Sequence, residues 1–558
     1  MSVLSTFEGL TNADNRALAF SVLPSDANLA VGPSHIFQMV NVVGRITDRS
    51  GGNAATFSLG SFFAVDPGFQ ETDPRVQYDA LSGRWFATYF QFSPSSSSII
   101  LAVSTTTDPT ATFCRYRLGN PTTEAFAQDF PMLGISDDKI VVSYNGFAGN
   151  TFVGAGYYVV NKADVLACST PRVTRVPPDF SRFTPSPAHS LSSTSDLFMA
   201  MNEGNTLALF RVSGVPGVGP VTETTRRLPI RDWRPPPDAE QPGSPRLDTS
   251  DESVISVTWQ HGVLWLAGNE RCSPAGDTGT RSCLRLIEVR TDSVIVRQDM
   301  SVGAAGKYYY YPALRPDVAG NLYVVFNISS STEFAGVHVT GRLATDPLNT
   351  LIAPIQIRAG GGAQRHPSGR MGDYHGAAVD PVDPRVVWVN GEYIRATGSV
   401  EWGSIVAQLT LADTAPPPTL SLGLDQTSFT GGQTLRLSVT LSNPGPTRQV
   451  NGFLGALLAP SAFPCPAGDP VAFIGPQLTV ATVTCLSTLT AEVPPVIRDV
   501  TLPAGLPSTT LQSFFSFVWP STAPVGSYVL FAVFTGADAP ALPPSILSIG
   551  SVPLAFTP

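Results

Sequence analysis

The residues of this chain best placed to do chemistry are acidic and aromatic side chains that recur at one point of a degenerate repeat. In DPRVQYDALSGRWFATYF the turn residue Asp79 comes five after Pro74. In YYPALRPDVAGNLYVVF it is Asp317, five after Pro312, and in DYHGAAVDPVDPRVVWV it is Asp380, five after His375. DFPMLGISDDKIVVSY fits with one extra residue, from Pro131 to Asp137. Two residues before those markers stand Thr72, Asp129, Tyr310 and Asp373, with Asp73 one step on in the Pro74 copy. Weaker copies offer Asp26, Asn28, Asp251 and Glu252 at comparable places. If the copies are arranged around an axis, these groups meet at one mouth, where carboxylates raise one another's pKa unless a cation balances them. Arg370 is one such cation. A hard ion such as Ca²⁺, held by Asp129 and Asp373, is another. The alternative is that each Asp caps a turn by accepting backbone N–H bonds.

Aromatic residues give a second signal. Tyr308, Tyr309, Tyr310 and Tyr311 form a run before one copy, and Tyr374 and Trp233 lie near similar entries. Asp73, Asp129, Tyr310, Tyr311, Arg370, Asp373 and Tyr374 therefore make up the candidate ligand site, with Asp129 and Asp373 its candidate metal ligands. Tyrosines on a concave surface suit sugar faces or peptides, although they also pack between sheets. Familiar catalytic signatures are missing. There is no Gly-x-Ser-x-Gly elbow, no His-Glu-x-x-His, and the six His are scattered singly. Glycine clusters such as Gly360-Gly361-Gly362 lack the strand-to-helix setting of a phosphate loop.

The elements that must position these residues are strands. Short β-branched and aromatic runs, among them HIFQMVNVV, RWFATYFQF, KIVVSYNGF and NLYVVFNIS, are separated by Gly, Pro, Asn, Asp and Ser. One short helix is expected at NKADVLA. Counting the weaker copies DANLAVGPSHIFQMVN, SPAHSLSSTSDLFMAMN and DESVISVTWQHGVLWLAG, seven units precede residue 414. Units of 40 to 60 residues with about four strands fit propeller blades, which bury their faces by packing radially. A β-helix or two sandwiches are the alternatives. The fold class read here is all-β: a β-propeller over 1–414, seven-bladed by the repeat count, a Pro-rich linker over 415–419, and an immunoglobulin-like β-sandwich over 420–558. The linker rests on LADTAPPPT, and the sandwich on the alternation in LRLSVTLS and the NPGP turn. RDWRPPPDAEQPGSPRLDTSDE (Arg231 to Glu252) reads as a surface loop shaping one face.

The 558 residues carry a net charge of −9 with only 14% charged and 43% hydrophobic, which excludes a disordered chain. Gly 49 and Pro 50 make up about 18% of the chain, above the average of roughly 12%, as many turns require. Three Lys and no basic block argue against nucleic-acid binding. No apolar run approaches the roughly 18 residues of a membrane span. The six Cys fall into local pairs, Cys114 with Cys168, Cys272 with Cys283 and Cys465 with Cys485. An even count without Cys-x-x-Cys favours disulfides over zinc, with reduced thiols as the alternative. Disulfides imply an oxidising compartment. MSVLSTFEGL shows no basic and apolar leader, so the export signal is expected to be absent from this chain.

The segment RMGDYHGAAVDPVDPRVVWVNGEYI (Arg370 to Ile394) resembles a motif of uncharacterised secreted bacterial proteins. Its usual form is Arg-Trp-Gly-Asp-Tyr-Ser followed by Val-Asp-Pro. Here Met371 replaces the Trp and His375 the Ser. NLAVGPSHIFQMVN, LAVSTTTDPT and GAGYYVVNKADVLA are similar to the same group, over roughly residues 20 to 410. The resemblance implies an extracellular or cell-surface propeller with an appended immunoglobulin-like domain, and it transfers no catalytic residue. The expected function is extracellular binding or structural assembly, with a glycan or a cell-surface protein as partner. Sandwich edge strands offer a route to self-assembly. The rival is a secreted glycan-active hydrolase or lyase, sialidase-like, using paired carboxylates at the channel mouth. The chain lacks the sialidase Asp-box, Ser-x-Asp-x-Gly-x-Thr-Trp.

Overall fold

Strands dominate because the sequence supplies short apolar runs broken by turn residues. In a computed structural model, residues 1–93, 96–119, 126–411, 416–476, 479–486, 493–536 and 546–557 are described. They fall into two units: one of Met1–Asp317, Tyr323–Gly341 and Leu351–Thr410, the other of Val318–Leu322, Arg342–Thr350 and Leu411–Pro558. The second unit thus takes in two turns that the sequence boundary near 415 had left with the first. Of the expected linker, residue 415 lies outside the described residues, as do 412–414 just before it. Helix among the described residues is confined to Asn12–Leu18, Leu59–Phe63 and Lys162–Leu166, the last being the turn expected at NKADVLA.

The first unit is built of four-stranded antiparallel meanders, seven among the described residues. They begin at Asn28–Val31, Gln70–Asp79, Ala127–Ile135, Ser186–Pro187, Val254–Gln260, Tyr308–Pro316 and Gly376–Val379. Each copy of the sequence repeat falls on the opening strands of one meander. The first strand of each meander lies against the first strand of the next, and Gly376–Val379 lies against Asn28–Val31, so the seven form a closed ring. The last meander is completed by the N-terminal strand Ser2–Thr11, which pairs antiparallel with Trp402–Thr410 from Ser2↔Thr410 to Thr11↔Gly403. The short strand His189–Ser190 pairs in parallel with both Ile135 and Thr258, tying the third and fifth meanders across the fourth.

Apolar clusters sit between successive meanders. Phe37, Trp85 and Ile100 join the first to the second, and Phe86, Leu101, Ile140 and Val160 the second to the third. Phe198, Leu209, Trp259 and Leu264 join the fourth to the fifth. Leu29, Ile36, Trp388 and Val406 join the seventh to the first. Sheets covered on both faces account for runs such as VVWVNGEYI, in which all nine residues are buried, rather than a period-two alternation.

In the second unit, Thr419–Leu424, Thr434–Asn443 and Leu506–Val518 form one sheet. A seven-stranded sheet contains Arg448–Leu457, Gly526–Gly536 and Ile546–Phe556. Both contribute to one core, with Leu435, Leu437 and Phe515 from the first and Val450, Phe534 and Leu554 from the second. The alternation read in LRLSVTLS sends Leu435, Leu437 and Val439 inward.

All three cysteine pairs are bonded. Cys272–Cys283 staples neighbouring strands and Cys114–Cys168 joins the second and third meanders. Cys465–Cys485 lies in the second unit.

Candidate functional site

The entry to four of the seven inner strands carries a backbone kink that the sequence encodes with proline. Asp73, Phe130, Thr184 and Tyr311 each precede a Pro, and each has a positive φ, of 56°, 53°, 50° and 57°. The ladder slips between Thr72 and Arg75 and between Asp129 and Met132, so the kinks at Asp73 and Phe130 are bulges that re-aim side chains. Asp tolerates this left-handed backbone. For Phe130 and Tyr311 it costs about 1–3 kcal/mol, and such outliers cluster at functional sites.

The kinks bring several predicted residues together. Asp73 accepts hydrogen bonds from Thr72 Oγ1 at 3.0 Å and from the Phe130 amide at 3.1 Å, and it is 7% exposed. Its carboxyl is pushed up to about 7, by burial and by the neighbouring Asp129. Asp129, half-buried, is hydrogen-bonded to Asp73 and is also raised, by burial first. Of the two carboxyls, Asp73 is thus the one that burial and the Asp129 charge hold toward the protonated form. Asp373 is raised to about 6 by burial, against the opposing pull of Arg370, whose guanidinium is ion-paired with it. Arg370 also lies 3.6 Å from Asp248. Asp248 belongs to the Arg231–Glu252 segment, which folds as a small hairpin, Ala239–Gln241 with Gly243–Leu247, at this mouth. Asp251, at the end of that segment, acts electrostatically on Asp373.

The tyrosines hold the mouth from below. Tyr311 donates to the Asp248 carbonyl at 2.8 Å, and Tyr374 to the Pro74 carbonyl at 2.9 Å. Both are fully buried, so they position backbone rather than meet a ligand. Tyr310 corrects the sequence reading. It is wholly buried in a core cluster with Met371 and Trp402, its ring edge-on to Tyr311 at 5.3 Å and its hydroxyl toward Ser329, so it does not line the mouth. Trp233 is likewise core, donating to the Asn269 carbonyl at 2.7 Å. The turn residues Asp79 and Asp380 are caps and also tie meanders together, Asp79 pairing with Lys162 at 2.7 Å and Asp380 with Arg49.

Sequence reasoning missed the hub that connects these carboxyls. Asn41 donates to Asp26 at 2.7 Å and accepts from the Asp73 amide and Thr72 Oγ1, both at 2.9 Å. Asp26, a member of a weaker repeat copy, is 1% exposed and raised by burial and by Asp373. Glu392 is raised well above its ordinary range by burial and accepts from Ser25. The available signal was a Glu inside an apolar strand. As for a metal, the one set of three ligating groups at chelating distance among the described residues is Cys465, Asp469 and Cys485, whose sulfurs are bonded to each other. Asp129 and Asp373 belong to no such set.

Beside the Asp73–Asp129 pair opens a cleft of about 380 Å³, lined by Thr72, Phe90, Phe92, Asp129, Phe147 and Asn150 among others. Phe90 and Phe92 stack with centroids 5.0 Å apart. The cleft lies between the second and third meanders and presents one carboxyl beside aromatic faces.

No family model matches this sequence, and no curated protein matches it. Among solved structures, a fungal alcohol oxidase of the AA5 family in complex with copper aligns over 100% of this chain and 99% of its own, at 11% identity and a TM-score of 0.39. An α-L-arabinanase of Penicillium chrysogenum complexed with arabinobiose aligns over 74% of this chain and 99% of its own, at 12% identity and a TM-score of 0.36. A Trypanosoma rangeli sialidase in complex with the inhibitor DANA aligns over 87% and 88%, at 8% identity and a TM-score of 0.31.

Proposed function

We propose that the first unit is a seven-bladed propeller that takes a carbohydrate into the cleft at its acidic mouth and cleaves it by acid catalysis. The ring of seven inner strands, closed by the N-terminal strand, supports the blade count. In the same reading the second unit is an immunoglobulin-like sandwich acting as a spacer, attached through the proline-rich segment. The chain is extracellular or cell-surface, of the secreted bacterial type that the Arg370–Ile394 motif resembles. Three disulfides fit that setting.

The observation that carries the catalytic reading is the hydrogen-bonded Asp73–Asp129 pair opening on an aromatic cleft. A carboxyl kept protonated near pH 7 can protonate a leaving glycosidic oxygen, as an acid of ordinary pKa cannot. Asp73, buried behind the cleft, is the carboxyl held protonated near pH 7, and Asp129, hydrogen-bonded to it and lining the cleft, hands that proton to the leaving oxygen. Asp373, held as the anion by Arg370, is the second carboxylate that glycoside cleavage calls for. Phe92 and Phe147 offer apolar faces to sugar C–H groups.

Recognition without turnover is the second reading, favoured by the burial of Asp73, which leaves one carboxyl of the pair facing the cleft. A glycan array run alongside product analysis on the bound polymers separates the two. Cleavage by the wild type with binding retained in Asp129→Asn supports the first. Binding with unchanged polymer supports the second, and no glycan bound at all would overturn both.

A further inference from the structure

A second feature lies inside the ring rather than at its mouth. A partly open cavity with room of about 50 Å³ for water-sized molecules is lined by residues from all seven inner strands, from Asn28 and Arg75 round to the half-buried Arg315 and to His375. Its lining includes two guanidinium groups and no carboxylate. Arg75 is 7% exposed, stacks 3.3 Å from the Tyr374 ring centroid, and leaves Nε and Nη2 without a hydrogen-bond partner. Arg315 makes one hydrogen bond, from Nη1 to the carbonyl of Leu314 at 3.0 Å. Burial pulls its pKa down to about 10, with no acidic neighbour to oppose this. Arg75 does feel Asp73, Asp26 and Asp373 from the mouth side.

A guanidinium does not shed its proton at neutral pH, and a charge drawn out of water with no counter-charge beside it, as at Arg315, is costly. Two further groups of the wall can donate as well, whereas Gln77 gives its N–H₂ to the Leu133 carbonyl at 2.7 Å and keeps Oε1 as an acceptor. Asn28 uses Oδ1 to accept from the Val76 amide, and Ser256 Oγ accepts from the Leu314 amide, which leaves the amide N–H₂ and the hydroxyl proton available. His375 has Nε2 2.8 Å from Asn327 Oδ1, and burial lowers its pKa to about 3, so it adds no charge.

We propose that the centre of the ring is an anion site, in which one small monovalent anion of chloride size is held by Arg315 and Arg75 with Ser256 and Asn28. The ion neutralises a positive charge to which seven strands contribute their walls, and so acts as a structural pin for the ring. This is independent of the acidic mouth and of any catalysis there.

The probe is halide itself. Full-length protein exchanged into sodium gluconate is melted at constant ionic strength and pH while chloride replaces gluconate, and crystals are soaked in bromide for anomalous diffraction. The expected result is a saturable rise in melting temperature of several degrees, as for a ligand bound only to the folded state. It is accompanied by a bromide peak within hydrogen-bonding distance of Arg315. Arg315→Met is expected to lose both. Equal melting in gluconate and chloride with no bromide peak in the cavity overturns the proposal, and so does a chloride response that survives in Arg315→Met. Should that variant fail to fold, the wild-type bromide map decides by itself.

Discussion

Replacing Asp73 with asparagine tests the proton held at Asp73 without touching the cleft surface. Asp73 moves from an ordinary 3.8 to about 7 in the folded chain. Between pH 4 and 7 the folded protein therefore keeps a proton that the unfolded chain has lost. Its stability falls as pH rises through that window and levels off above 7. At 1.36 kcal/mol per pKa unit, an ionised Asp73 costs up to about 4 kcal/mol at pH 8. Asp73→Asn imitates the protonated acid. Its amide oxygen can still accept from the Phe130 amide, its N–H can donate to Asp129, and Thr72 keeps Asn41 as an acceptor. Part of the gain returns because Asp129 then ionises alone, so the expected difference between variant and wild type is near zero at pH 4 and about 2–4 kcal/mol in favour of the variant at pH 8. Urea unfolding of both proteins at half-unit pH steps measures it. A difference that stays flat across the range, or that favours the wild type at high pH, would refute the proton held at Asp73.

Other outcomes follow from the same geometry. Lys162→Met should cost about 3–5 kcal/mol by leaving the 2%-exposed Asp79 carboxylate unpaired, and adding Asp79→Asn should recover most of it, read by denaturant midpoint. Intact mass after alkylation without reduction should show no modified thiol. Removing Cys114–Cys168, whose partners are 54 residues apart, should destabilise by about 4 kcal/mol, against about 3 for the 11-residue Cys272–Cys283 span. If Asp129 delivers the proton that Asp73 holds, cleavage should fall as pH rises through about 7, where the Asp73 carboxyl ionises and the proton is gone.

The parts legible in sequence are those where the backbone makes a demand that few residues meet. Proline after a kinked entry marks the second, third, fourth and sixth meanders, an Asp in the following turn marks those four and the seventh, and apolar runs of strand length mark all seven, even in the weak copies at Asp26, Ser186 and Asp251. The convergence of Asp73, Asp129, Asp373 and Arg370 follows from that alignment. What escaped depends on tertiary approach. Four consecutive tyrosines cannot declare which faces they take, and the kink at Tyr311 decides it. Asn41 is unremarkable as one residue of a strand-to-strand turn, yet it bridges two meanders. Glu392 and Arg75 were visible as charges within apolar strands, but only the closed ring shows what each one faces. The two turns at 318–322 and 342–350 group with the second unit by contact rather than by composition.

The most direct test of the account is release of new reducing ends from a panel of polysaccharides at pH 6.5, between the values of Asp373 and Asp73, by wild type and Asp129→Asn, with binding of the same polymers measured in parallel. The account predicts release by the wild type and a loss of about 10²–10⁴-fold in the variant at unchanged affinity. Release that is equal in both proteins would contradict it.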